Sequence, residues 1–89
     1  MQINYDKIIE IYGEDLLMLI LDNVIDVEKN INYLNHLGFI DTLDIFERYP
    51  YLFINSYNEF QKKINNLINN IGTDYVNIIE NNLDLLEEL

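Results

Sequence analysis

Few residues of this chain have the chemistry of a catalytic or metal-binding group. His36 is the only histidine, Ser56 is the only serine, and cysteine is absent. A metal site needs three or four converging donors, and a general base needs a neighbour that orients it. His36 has neither, because helical spacing puts it beside Lys29 and Asn32 on a polar face. We predict a surface histidine, no metal and no cofactor.

The paired acids Glu14–Asp15 and Glu87–Glu88 are the remaining candidates for acid–base or cation chemistry. Adjacent helical residues diverge by about 100°, so neither pair converges on one site. No stretch has the alternating oxygen donors, central glycine and final glutamate of a calcium loop. Ser56 is better suited to cap a helix than to act as a nucleophile. We therefore expect no enzymatic activity.

The composition indicates one small, acidic, folded domain. The chain has 89 residues, of which 49% are hydrophobic, and a formal net charge of -11. Such a charge repels nucleic-acid phosphates and anionic lipids, so neither is an expected direct partner. The longest apolar run, Leu16–Leu21, is far shorter than the roughly 20 residues that span a bilayer. Together with the absence of cysteine, this favours a cytoplasmic protein.

Apolar residues recur at helical spacing and never alternate as in a strand. One stripe consists of Val24, Val27, Ile31 and Leu34, and a second consists of Phe60, Ile64, Leu67 and Ile71. Ser56 with Glu59 forms a capping box before the second stripe, and Gly72 can end that helix. Asn23 with Asp26 forms a weaker box before the first stripe, which Gly38 can end.

Three shorter helices are predicted from capping residues. They run from Asn4 to about Tyr12, from Asp41 to about Arg48, and from Thr73 or Asp74 to about Asn82. Pro50 cannot lie inside a helix and therefore marks a break.

These segments repeat with an offset of 33 residues. The identical pairs are Lys29/Lys62, Ile31/Ile64, Leu34/Leu67, Ile45/Ile78, Glu47/Glu80 and Leu52/Leu85. Ile8, Ile9, Glu10 and Tyr12 echo Ile45, Phe46, Glu47 and Tyr49 upstream, with about one extra helical turn inserted in the stretch 14–22. We predict an all-α fold, a short stack of about two and a half helix-pair repeats in one domain: a leading half-unit 1–22 and repeat units 23–55 and 56–89.

Residues 48–72 resemble the repeat of the mitochondrial transcription termination factor (mTERF) family, which has an apolar-Pro-x-Leu turn, a Ser-capped helix and a Leu-x-x-x-Gly ending. The matching residues here are Pro50, Leu52, Ser56, Ile64, Leu67 and Gly72, and residues 30–52 form a second copy. The resemblance implies stacked helical repeats. Family members bind nucleic acid along a basic concave face, whereas this chain is acidic, so the resemblance implies architecture without that activity.

The acidity suggests a protein-binding function. Residues 72–89 contain five acids and no base. Spaced carboxylates can substitute for phosphates, and exposed aromatic side chains can anchor an interface. The predicted acidic contacts are Glu47, Glu80, Asp84, Glu87 and Glu88, and the predicted aromatic contacts are Tyr49, Tyr51 and Tyr57. The hypothesis is an inhibitor or decoy of a basic nucleic-acid-handling protein, of the kind that phages and mobile elements carry; the alternative is that the charge serves solubility.

Two further functions stay open at this point. In a truncated nucleic-acid-binding repeat module, Lys29, Arg48, Lys62 and Lys63 would form a local basic strip. In a self-assembling structural subunit, a homo-oligomer would form through the apolar end at residues 83–89.

Overall fold

The computed structural model describes residues 3–89, which form seven α-helices and one 3₁₀ helix without any strand. The helices are α1 (Tyr5–Tyr12), α2 (Glu14–Asp22), α3 (Val24–His36), α4 (Thr42–Arg48), α5 (Pro50–Phe53), α6 (Tyr57–Ile71) and α7 (Tyr75–Asn81), followed by the 3₁₀ helix Leu83–Leu86. The all-α prediction is confirmed. Within residues 3–89, no helix is both long and apolar enough to cross a bilayer.

The helix boundaries recur at the offset found in the sequence. Helices α3 and α6 begin 33 residues apart, and so do α4 and α7. The four-residue helix α5 and the 3₁₀ helix have the same offset at both ends. Two segments of the chain therefore share the order long helix, seven-residue helix, four-residue turn of helix. The number of repeats remains a prediction.

The caps explain where the long helices begin. Ser56 accepts a hydrogen bond from the Glu59 amide at 3.3 Å, as the capping box predicts, and Gly72 follows α6 with a φ of 100°. The prediction for Asn23 is wrong. Its side-chain amide donates to the Leu19 carbonyl at 2.8 Å and so caps the end of α2, leaving α3 without a side-chain cap.

Three phenylalanines join the two repeat units. The Phe53 ring lies 5.4 Å from that of Phe46 and 5.0 Å from that of Phe60, measured between centroids. All three side chains are fully buried. Because Phe46 and Phe53 belong to the first unit and Phe60 to the second, the aromatic cluster forms the centre of the shared core.

Equivalent positions of the long helices anchor the segment that follows each turn. The Asn30 side-chain amide is buried and donates to the Phe53 and Asn55 carbonyls, at 2.9 Å each. Lys63, which lies 33 residues further on, donates to the main-chain oxygen of Leu89 at 2.7 Å. Two chemically different side chains therefore hold corresponding parts of the fold.

Candidate functional site

The residues with possible catalytic chemistry remain apart. His36 is exposed and lines a shallow groove together with Lys29, Asn32, Tyr33 and Tyr57. The predicted surface position of His36 beside Lys29 and Asn32 is confirmed. Among residues 3–89, no three His, Cys, Asp or Glu side chains lie close enough together to hold a metal ion.

An aromatic cleft forms where the chain turns after α4 and meets its last segment. It encloses about 430 Å³, and we name it the Tyr49 cleft. The side chains that matter for its chemistry are Tyr12, Arg48, Tyr49, Tyr51, Lys63 and Glu87. Pro50 begins α5 at this point, where its fixed φ suits the first helical position and its missing N–H costs nothing. Residues from three parts of the sequence thus meet in one depression.

Two tyrosines of this cleft have altered acidity. Partial burial raises the pKa of the Tyr49 hydroxyl, and the nearby carboxylates of Asp84 and Glu87 raise it further. Burial likewise raises the pKa of Tyr12, with smaller contributions from Tyr51 and Glu47. The Tyr12 hydroxyl donates to the Glu47 carbonyl at 2.6 Å, which fixes its position. Asp84 and Glu87 therefore lie beside an aromatic ring that is neutral at physiological pH.

The five predicted acidic contacts separate into two groups. Glu47 pairs with Lys7 at 3.2 Å, and its side chain is only 18% exposed. Glu80 accepts from the Ile40 amide, also at 3.2 Å. Each of these two repeat-equivalent glutamates thus contacts the preceding part of the stack, 40 residues earlier in the chain. Asp84, Glu87 and Glu88 are exposed on the last segment.

The predicted aromatic contacts also divide between two places. Tyr49 and Tyr51 line the Tyr49 cleft, and Tyr51 is 63% exposed. Tyr57 lies in the His36 groove, where its ring meets that of Tyr33 edge-on at 6.0 Å. The structure therefore brings Tyr49 and Tyr51 together with Asp84 and Glu87, and it keeps Tyr57 apart from them.

The four bases of the predicted strip lie in different surroundings, and each contacts a group of this chain. Lys29 lies 5.8 Å above the Tyr57 ring, and Lys63 is bound to the Leu89 main chain. Arg48 pairs with Asp44 at 3.2 Å, and Lys62 lies 3.8 Å from Glu59. Arg48 and Lys63 share the Tyr49 cleft, whereas Lys29 lines the His36 groove. The structure does not gather the four into one depression.

Comparison with known proteins adds no relative. No protein-family model, no curated protein and no solved structure matched this chain significantly. The resemblance to mTERF repeats, which depends on short structural motifs, therefore stays a prediction.

Two features of the surface were not singled out from the sequence. Tyr12 lines the Tyr49 cleft, and the upstream echo that pairs it with Tyr49 was the available signal. The leucines at residues 83–89 are less available for self-association than predicted, since Leu86 is buried and its neighbours pack against the core. The exposed apolar residues concentrate instead near α2.

Proposed function

We propose that this chain is a non-catalytic acidic module that binds a basic, nucleic-acid-handling protein and occupies its phosphate-binding groove. It would act as an inhibitor or decoy of the type carried by phages or mobile elements. The carboxylates would substitute for phosphates and accelerate encounter through electrostatic steering.

The observation that supports this proposal is the surplus of carboxylates without a basic neighbour. All five lysine and arginine residues contact a group of this chain. Only three of the sixteen acidic residues, Asp44, Glu47 and Glu59, form ion pairs within residues 3–89. The remaining negative charge is therefore available to a partner.

The Tyr49 cleft supplies the local chemistry for such a contact. A lysine or arginine side chain of the partner would lie between the Asp84 and Glu87 carboxylates and the exposed Tyr51 ring. A carboxylate and a ring face both attract a cation, and the attraction strengthens when water is excluded. Arg48 and Lys63 line the same cleft, but Asp44 and the Leu89 main chain already engage them.

The experiment is capture of partners by the tagged protein from a lysate of its own host, with nuclease treatment and stepwise salt elution. We expect a basic protein that survives nuclease and elutes as salt rises. Adding this chain should displace nucleic acid from that protein. Recovery that requires intact nucleic acid, or recovery of this chain alone, would instead favour the nucleic-acid-binding module or the self-assembling subunit.

A matched pair of variants separates a specific site from general charge. Asp84→Asn, Glu87→Gln and Glu88→Gln together should weaken binding of the captured partner at least about tenfold, which corresponds to 1.4 kcal/mol. The control removes the same three charges from exposed acids elsewhere, by Asp6→Asn, Asp41→Asn and Asp74→Asn. Equal weakening by both triple variants would argue against the Tyr49 cleft as the binding site.

A further inference from the structure

Exposed apolar side chains concentrate around α2. Eight large hydrophobic residues are strongly exposed within residues 3–89, and five of them lie between residues 11 and 25. These five are Ile11, Met18, Leu19, Leu21 and Ile25, which we name the α2 face. Met18 is 57% exposed and Ile25 is 68% exposed, so both present most of an apolar side chain to water.

Helix α2 cannot bury all of its apolar residues within this fold. Leu16 and Ile20 are four residues apart, and both lie in the core. Successive residues of a helix rotate by about 100°, so the uninterrupted run Leu16–Leu21 surrounds the helix on all sides. The helix packs chiefly against α1 and α3. A helix that is apolar all round is typical of a buried position, which this one does not reach alone.

The rim of this surface is purely acidic. Residues 8–28 contain six acids and no base. Five of the six are exposed and form no ion pair within residues 3–89, namely Glu10, Glu14, Asp15, Asp22 and Glu28. The nearest bases on either side are engaged, Lys7 by Glu47 and Lys29 by the Tyr57 ring.

This charge distribution selects among occupants. A second copy of the chain would place identical acids against each other, and juxtaposed like charges oppose association. An anionic lipid surface would be repelled in the same way. A basic surface with an apolar stripe would satisfy both the α2 face and its rim.

We propose that the α2 face docks an amphipathic basic helix of another protein. The apolar side of that helix covers Met18, Leu21 and their neighbours, while its lysines and arginines reach the acidic rim. The inference rests on the proposed function in that the partner is basic, and it adds a second contact surface that supplies apolar anchoring. A helix is the fitting occupant because each unit of a helical stack is covered by neighbouring helices.

The test uses a fluorescently labelled synthetic peptide with leucines on one helical face and lysines on the other. Fluorescence anisotropy should report binding of this peptide to the intact chain. Met18→Gln combined with Leu21→Gln should weaken that binding at least about tenfold. The matched control, Ile40→Gln combined with Ile78→Gln, replaces two exposed apolar residues outside the α2 face and should leave the affinity unchanged.

Two further measurements decide what the binding means. A peptide of the same composition, reordered so that no apolar stripe forms, should bind much more weakly, and amide NMR shifts caused by the first peptide should concentrate in residues 11–25. Equal affinity for the reordered peptide would overturn the proposal, since charge alone would then suffice.

NMR shifts confined to Tyr49, Tyr51 and Asp84 would also overturn it, while supporting the Tyr49 cleft of the proposed function. Light scattering should show a monomer of 10.6 kDa. Concentration-dependent self-association that Met18→Gln abolishes would identify a second copy as the occupant and overturn the proposal.

Discussion

At the scale of single residues, Asn30 shows how one buried polar side chain can hold two helical segments together. Its amide nitrogen serves two main-chain carbonyls, those of Phe53 and Asn55. Its own carbonyl oxygen has no hydrogen-bond partner among the described residues. The side chain therefore stabilises the fold through its donor alone, because buried acceptors that lack a donor are costly.

We expect Asn30→Ala to lower the free energy of unfolding by about 1–3 kcal/mol, since it leaves buried carbonyls without a donor. Urea unfolding followed by circular dichroism measures the change. Asn32→Ala, on the exposed face of the same helix, is the control and should stay within about 0.5 kcal/mol of the parent. Equal losses in the two variants would contradict this role.

The cleft tyrosines predict a pH effect in the alkaline range. The folded pKa values of Tyr12 and Tyr49 lie above the ordinary value of 10.0. A group whose folded pKa is raised contributes stability below its unfolded pKa and loses it as pH rises through the folded pKa. Stability should therefore fall above about pH 10.

Ultraviolet titration of phenolate formation tests this directly. The parent protein should show late-ionising tyrosines, and Tyr12→Phe and Tyr49→Phe should each remove part of that late component. Tyr51→Phe is the control, because the Tyr51 ring is mostly exposed. Simultaneous ionisation of all tyrosines in the folded protein would contradict the cited burial.

At the scale of helices, the caps separate residues that look alike in the sequence. Ser56 and Asn4 accept hydrogen bonds from backbone amides, at 3.3 and 3.1 Å. Asp41 and Asp74 precede α4 and α7 without forming such bonds. Similar capping residues therefore contribute differently to stability.

Ser56→Ala should lower stability by about 1 kcal/mol, as expected for the loss of a helix cap. Asp74→Ala should have a smaller effect, because only its favourable charge at the helix start is lost. Thermal unfolding of the two variants gives the comparison. A larger loss for Asp74→Ala would show that the charge outweighs the cap.

Much of the helix arrangement was predictable from local signals, but the contacts between helices were not. The stripes and caps placed α3 and α6 close to their observed bounds, and Pro50 marked the break before α5. Asn23 was misassigned because its amide can donate to the preceding helix as well as accept from the next one. Glycine and serine at helix ends are less ambiguous.

The candidate site was predictable only in part, for the same reason. Tyr49 and Tyr51 are neighbours in sequence, so their shared cleft follows from proximity. The bonds from Glu47 to Lys7 and from Glu80 to Ile40 span 40 residues and depend on how the units stack. Local spacing carries no information about such partners, although the repeat indicated that the two glutamates are equivalent.

At the scale of the whole molecule, the net charge of -11 acts on a body only 37 Å long. The Debye length is about 30 Å at 0.01 M salt and about 3 Å at 1 M. At low salt the carboxylates therefore repel one another across most of the molecule, and this repulsion opposes the compact state.

The melting temperature should rise as sodium chloride increases from about 0.01 M to about 1 M, most steeply at the low end. Differential scanning calorimetry measures this dependence. The Asp6→Asn, Asp41→Asn and Asp74→Asn variant should show a shallower rise, because less repulsion remains to be screened. A melting temperature independent of salt would show that self-repulsion does not limit stability.

The two anchoring side chains at positions 30 and 63 imply an order in which the molecule opens. Of the fifteen buried hydrophobic residues, eight lie in 23–55 and four in 56–89. Asn30 makes its bonds in a dry interior, whereas Lys63 is only partly buried and competes with water for its acceptor. Hydrogen exchange should therefore release the amides of α7 before those of α4, so that the stack opens from its carboxyl-terminal unit inwards.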